Sequence, residues 1–202
     1  MIVYLHGLNS SGRSHKARAL RRALAPRPVL APDYRAHRPA EAVAGLLAWF
    51  AGLPPAPPGD PGLILLGSSM GGFYGQYLAR RLPVARLYLI NPALTPWDLL
   101  PAYLGQSMTT AQGETYRVTP ELIEATRPFA VADPCDGVQT EVFLDAGDEV
   151  IDPGIALRLY RDCGDVRLCP GGDHAFQHLD ELVVSLRELL DRPIGGSMPA
   201  AA

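Results

Sequence analysis

Three short stretches of this chain hold the residue types that acyl transfer needs: Gly67-Ser68-Ser69-Met70-Gly71, Asp145-Ala146-Gly147-Asp148-Glu149-Val150-Ile151-Asp152, and Pro170-Gly171-Gly172-Asp173-His174-Ala175-Phe176. A serine hydroxyl is a weak nucleophile until an adjacent base takes its proton. Ser69 alone satisfies G-x-S-x-G, because Leu66 stands where Ser68 would need its first glycine. A serine that projects above a sheet sits in a tight strand-to-helix turn, where side chains at the two glycine positions would collide with neighbouring backbone. The N–H after the serine, here Met70, then points to where an oxyanion forms. A phosphate loop does not fit, for there is no GK[ST] and no lysine nearby; a dinucleotide fingerprint fails as well.

The base must be a histidine, and a carboxylate must fix its tautomer. Of His6, His15, His37, His174 and His178, only His174 lies in a glycine-rich loop after the last apolar run. His15 precedes an Arg-rich helix and His37 lies in a polar loop, which suits solvated roles. His174 and His178 are spaced i,i+4, but no third metal ligand is evident, so no metal is expected. The stretch before it offers four acids, Asp145, Asp148, Glu149 and Asp152. Near the start, His6-Gly7-Leu8-Asn9-Ser10-Ser11-Gly12 can turn its backbone inwards, so that the Leu8 N–H joins that of Met70 as a second oxyanion donor. His6 is then a residue that holds the loop rather than a base.

Short apolar runs must carry these loops, and the chain alternates them with helical patterns. Strands are expected at Ile2–Leu5, Pro28–Ala31, Leu63–Leu66, Arg86–Ile90, Glu141–Leu144 and Val166–Cys169. Helices are expected at Ser14–Ala25, Pro39–Ala51, Met70–Arg81, Pro153–Arg161 and Phe176–Leu190, where apolar residues recur at helical spacing. Such alternation means parallel pairing with helices on both faces, and ligands beyond the carboxyl ends of the strands. Residues 95–134 break the rhythm with five prolines and promise only short helices. The reading is one domain over 1–194, with 95–134 as a cap-like insertion and 195–202 as a disordered tail.

Composition excludes several classes. At 202 residues, 48% hydrophobic and 19% charged, the chain is too apolar for a disordered protein and long enough to bury a core without disulfides. Lys16 is its single lysine and the net charge is −3, so no footprint for nucleic acid exists. No stretch approaches the ~20 apolar residues of a membrane span. Cys135, Cys163 and Cys169 are odd in number and show no CxxC, so neither a disulfide framework nor a zinc ribbon is expected, which agrees with a reducing interior. Ile2–Leu5 passes straight into His6-Gly7 with no room for a leader, so a cytoplasmic chain is expected.

HGLNSS, GSSMGG, GDEVID and GGDHAF together resemble the α/β-hydrolase superfamily, and more narrowly the small bacterial YqiA-type esterases. The likeness covers nearly the whole chain and includes Asn91-Pro92-Ala93, Tyr103-Leu104-Gly105-Gln106 and Gly113-Glu114-Thr115-Tyr116. The resemblance implies a doubly wound, mostly parallel six-stranded sheet, a reduced α/β-hydrolase fold with a short cap, and hydrolysis of carboxylic esters. It makes Ser69 the nucleophile, Asp148 the acid and His174 the base, with no cofactor. Leu8 stands where the family often has phenylalanine, which touches acyl-site shape rather than the backbone N–H. The residues agree on Asp148: Asp145 directly follows an apolar run, Asp152 precedes Pro153 as a helix cap would, and Asp173 adjoins the histidine. Asp145 would then pin a loop and tolerate asparagine.

The expected partner is a small-molecule ester with a short acyl chain, and Trp97, Tyr103 and Phe129 of the insertion are candidate substrate contacts. Neither nucleic acid nor membrane is expected as a partner. A thioester or other acyl group on the same triad, or a non-catalytic hydrolase-fold binding protein, are the alternatives. Activity should rise with pH as His174 loses its proton, since only neutral imidazole acts as a base.

Overall fold

The computed structural model describes residues 1–55, 60–134 and 136–191. The chain runs β1 (Ile2–Leu5), α1 (His15–Ala23), β2 (Val29–Leu30), α2 (Pro39–Ala51), β3 (Leu63–Ser68), α3 (Met70–Leu78) and β4 (Val84–Ile90). After the insertion come β7 (Thr140–Asp145), α6 (Pro153–Tyr160), β8 (Gly164–Cys169) and α7 (Leu179–Leu190). The insertion itself carries α4 (Pro96–Leu99), a hairpin of β5 (Ser107–Thr109) and β6 (Thr115–Arg117), and α5 (Pro120–Glu124).

β1, β3 and β4 are buried on both sides over most of their length, which is why they read as continuous apolar runs rather than alternating ones. Ile2, Tyr4, Ile64 and Leu66 face α1 and α7, where they meet Leu20, Leu182 and Leu186. Val3, Leu5 and Leu65 face the opposite way, towards Leu46 of α2, Phe73 of α3 and Tyr160 of α6. Prolines open α2 and α6 at positions where the missing N–H is no loss, and the Asp152 carboxylate caps α6 by accepting from Gly154 N at 2.8 Å.

Six strands form one parallel sheet in the order β2-β1-β3-β4-β7-β8. Strand order reverses between β1 and β3, so the loops leaving these two neighbours diverge to opposite faces and open a crevice between them. Leu8 follows β1 and Ser69 follows β3. The insertion differs from the expected run of short helices by including the β5–β6 hairpin. Its three-residue strands alternate exposed and half-buried positions and so lack any apolar run. Leu100, Val118 and Ile123 give it a small core of its own.

Three further expectations change. His37 is buried, stacked on Tyr116 at 4.2 Å and paired with Glu114 at 3.3 Å, rather than solvated. Helix α7 begins at Leu179 and not at Phe176, because Phe176 holds a left-handed φ of 64°. Cys169 is free and buried, but Cys163 is disulfide-bonded, so the cysteine count no longer argues for a reducing compartment. Cys135 and the tail 195–202 lie outside the described residues. Among those residues no helix is long and apolar enough to cross a membrane.

Candidate active site

Ser69 occupies the turn between β3 and α3 with φ 55° and ψ −124°. That conformation is costly for a non-glycine residue and is held by its surroundings. A Cβ on Gly67 would lie 2.3 Å from the Gly71 carbonyl oxygen, and one on Gly71 would lie 2.1 Å from that of Leu5. Both glycines are therefore required by backbone contact, as the motif's spacing implied. The Ser69 carbonyl accepts from Gly72 N at 2.9 Å and Ala93 N at 3.1 Å, which fixes the turn from both sides.

His174 reaches the serine from the loop between β8 and α7. Its Nε2 lies 3.2 Å from Ser69 Oγ, and its Nδ1 lies 2.9 Å and 3.1 Å from the two Asp148 oxygens. The Asp148 side chain is fully buried. Burial pushes its carboxyl up, but the His174 ring and the N–H groups of Ile151 and Val150 outweigh that, and the group ends below the ordinary carboxylate range. An ionised carboxylate only accepts, so Nδ1 carries the proton and Nε2 presents its lone pair to the serine hydroxyl. The sequence expectation of Ser69, Asp148 and His174 as one group is what the fold brings together.

The lowered pKa of Asp148 couples its charge to stability. A carboxyl with a lowered folded-state pKa contributes stability above its unfolded value of about 3.9, and that stability is lost as pH falls through the folded value. The stability gap between wild type and Asp148→Asn, followed by urea unfolding, should be full at pH 7 and should shrink below about pH 4. A gap that stays constant down to pH 2 would mean the carboxylate's charge does no stabilising.

Among the described residues, neither the Leu8 nor the Met70 N–H has a hydrogen-bond acceptor. Two unpaired donors on adjacent loops are the arrangement that an oxyanion requires. His6 holds the Leu8 loop: it is buried, stacked on Tyr34 at 4.3 Å, and its Nδ1 meets the Gly7 carbonyl at 2.9 Å. Burial holds its pKa below the ordinary value, so the ring is neutral. The Tyr34 hydroxyl donates to the His6 carbonyl. Asn9, one residue past Leu8, accepts from the Tyr116 hydroxyl at 2.9 Å, which ties the Leu8 loop to the β5–β6 hairpin. Nothing in the loop's composition pointed to that tie.

Two depressions flank Ser69. One, of about 260 Å³, is apolar and walled by Leu8, Met70, Leu99, Leu100, Tyr103 and Ile151. The other is a groove of about 550 Å³ whose walls include Ser10, Ser14, Lys16 and Glu149. Of the three candidate substrate contacts, Tyr103 lines the apolar cavity. Trp97 and Phe129 do not; they pack edge-on against Phe73 (6.2 Å) and Tyr77 (5.1 Å) beneath the insertion. The remaining acids near His174 have other partners. Glu149 accepts from His174 N at 3.0 Å, and Asp173 accepts from the Gln177 side chain at 2.8 Å. His174 and His178 do not act as a pair, because each is bonded through Nδ1 to a different carboxylate.

Solved structures with this fold are numerous. The putative hydrolase from Agrobacterium vitis S4 superposes with a TM-score of 0.76 at 22% identity, over 94% of this chain and 87% of that one. Alpha/beta hydrolase domain-containing protein 10 from mouse gives 0.75 at 18% identity, over 94% and 89%. Est1E from Butyrivibrio proteoclasticus, with ferulic acid bound, gives 0.74 at 15% identity, over 97% and 90%. At these identities the likeness shows the fold, and it is that of an α/β-hydrolase. Residues 1–190 match the Uncharacterised protein family (UPF0227), and the chain belongs to that family.

Proposed function

We propose that this protein is a serine hydrolase that cleaves carboxylic esters through an acyl-enzyme. The observation that carries the reading is the unbroken relay of Ser69 Oγ, His174 Nε2 and Nδ1, and Asp148, with links of 3.2 Å and 2.9 Å, at the crest of a strained strand-to-helix turn. In the first half-reaction His174 takes the Ser69 proton as Oγ attacks the ester carbonyl. The carbonyl oxygen becomes an oxyanion held by the Leu8 and Met70 N–H groups. The imidazolium, steadied by Asp148, then protonates the departing alcohol, and the acyl group stays on Oγ. Water, activated by the same histidine, releases the acid. The likeness to a chain described as a hydrolase points the same way.

The unequal depressions support a substrate with one small apolar arm and one polar arm. The apolar arm fits the 260 Å³ cavity and the polar arm the larger groove. Burying a CH₂ is worth about 0.8 kcal/mol, or about fourfold in kcat/KM. A series of 4-nitrophenyl esters should therefore gain about fourfold per added carbon while the chain still fits, then fall once it is full. Ala93→Leu, which adds bulk to the cavity wall, should move the optimum to a shorter acyl chain. A flat profile from acetate to decanoate in both proteins would remove the cavity from the assignment. The direct test of the whole reading is a serine-reactive fluorophosphonate followed by peptide mapping. The adduct is expected on Ser69; an adduct elsewhere, or none, would overturn the mechanism.

A further inference from the structure

We propose that Asp145 and His178 form a second Asp–His pair whose role is to set the position of His174. The inference rests on the reading of His174 as the base. Asp145 ends β7, opposite Cys169 at the end of β8, and its side chain is completely buried. A carboxylate removed from water must be met by donors. Its Oδ2 accepts from Asp173 N at 3.2 Å and Gln177 N at 2.7 Å, while Oδ1 lies 2.6 Å from His178 Nδ1. Asp173 and Gln177 bracket His174, so one side chain grips the loop before and after the catalytic ring.

Asn91, just past β4, completes the grip. Its Oδ1 accepts from Asp145 N at 2.9 Å, and its Nδ2 donates to the Asp173 carbonyl at 3.0 Å. Both polar groups of the Asp173 backbone are thus committed.

The loop has little shape of its own. Gly171, Gly172 and Phe176 all hold left-handed φ values, of 70°, 73° and 64°. A strained segment of this kind persists only where its surroundings over-determine it. Gly172 shows how tightly it is drawn in, since a Cβ there would lie 2.0 Å from Asp145 Oδ2. Asp145, Cys169 and His178 bring three potential metal-ligand atoms within 4.8 Å of one another. Both carboxylate oxygens, however, are already occupied by three hydrogen-bond donors, one of them His178 itself. The cluster is a hydrogen-bonded post for the loop.

The pair acts on geometry, so its loss should reach turnover and not substrate affinity. A displacement of about 1 Å at a reacting group costs on the order of 10²-fold. His178 is part-exposed, so its variants should fold, and a thermal melt checks that they do. His178→Ala should lower kcat about 10-fold or more, leave KM within about twofold, and slow fluorophosphonate labelling of Ser69 in proportion. His178→Asn, whose amide nitrogen takes the place of Nδ1, should recover most of the kcat. Asp145→Asn sets an NH₂ against one of three facing donors and should lose about 10²-fold; this replaces the sequence expectation that asparagine is tolerated there. Zinc at one equivalent should leave wild-type kcat unchanged.

Wild-type kcat in His178→Ala, a loss confined to KM, an asparagine variant no better than alanine, or stimulation by zinc would each overturn the assignment. If the triad reading itself were wrong, Ser69 of the wild type would not label at all. A failure of this inference alone leaves wild-type labelling intact and the variant rates equal to it.

Discussion

Ser69→Ala should lower ester turnover by about 10⁴- to 10⁶-fold while leaving the protein folded. Alanine pays the same backbone strain at φ 55° as serine, and among the described residues the hydroxyl it lacks bonds only to His174. Stability should therefore change little, and the loss reads as chemistry. The remaining activity is what the two proposed oxyanion donors, the Leu8 and Met70 N–H groups, and substrate positioning supply without a nucleophile. The check is steady-state hydrolysis of 4-nitrophenyl butyrate by protein whose melting curve matches wild type. Ser68 cannot take over, because it belongs to β3 and is 2% exposed. Activity within tenfold of wild type would end the nucleophile assignment.

Asp148→Asn should be nearly as damaging, at about 10⁴-fold in kcat, the scale of the same change in serine proteases. Asp148 Oδ1 accepts from Val150 N and Ile151 N, each at 2.9 Å. An asparagine keeps those bonds only by placing its carbonyl oxygen there. Its NH₂ then falls where Oδ2 was, 2.9 Å from His174 Nδ1. Two donors cannot face each other, so Nδ1 must become the acceptor and the ring's proton moves to Nε2. The Ser69 hydroxyl is left without a base, although every heavy atom is in place. Asp152→Asn and Asp173→Asn disturb neither tautomer nor relay and should keep most activity. An Asp148→Asn variant with a tenth or more of wild-type kcat would remove Asp148 from the triad.

Much of this site was legible because chemistry and fold leave marks of the same kind. The glycines around Ser69 are demanded by backbone contacts of under 2.5 Å, so the Ser69 turn is written in residue identity. The carrying strands are buried on both faces and stand out as apolar runs. The helix cap at Asp152 was visible for a local reason as well. What was hidden depends on distant partners. The β5–β6 hairpin is too short and too exposed to show a period, and its tie to Asn9 spans 107 residues. Asp145 is expected from sequence to pin a loop, but nothing near it in sequence reveals which one, because the residues that fold onto its oxygens lie 28 and 32 positions later. The same bonds explain the late start of α7, where helical periodicity ran on through residues that are held in a loop.

The relay joins residues from two distant halves of the chain, with His174 lying 105 positions after Ser69, its proposed nucleophile. During synthesis the nucleophile turn is complete long before its histidine leaves the ribosome, and that histidine has no fixed place until α7 packs beneath the sheet. On the proposed assignment, no nascent or truncated form lacking the last loop and helix has hydrolytic power. The proposed catalysis is then a late event of folding, since contacts this far apart in sequence form only once the intervening sheet exists. Recovery of turnover after dilution from denaturant therefore reports the closing of the sheet's far edge, which no signal from the early strands can do.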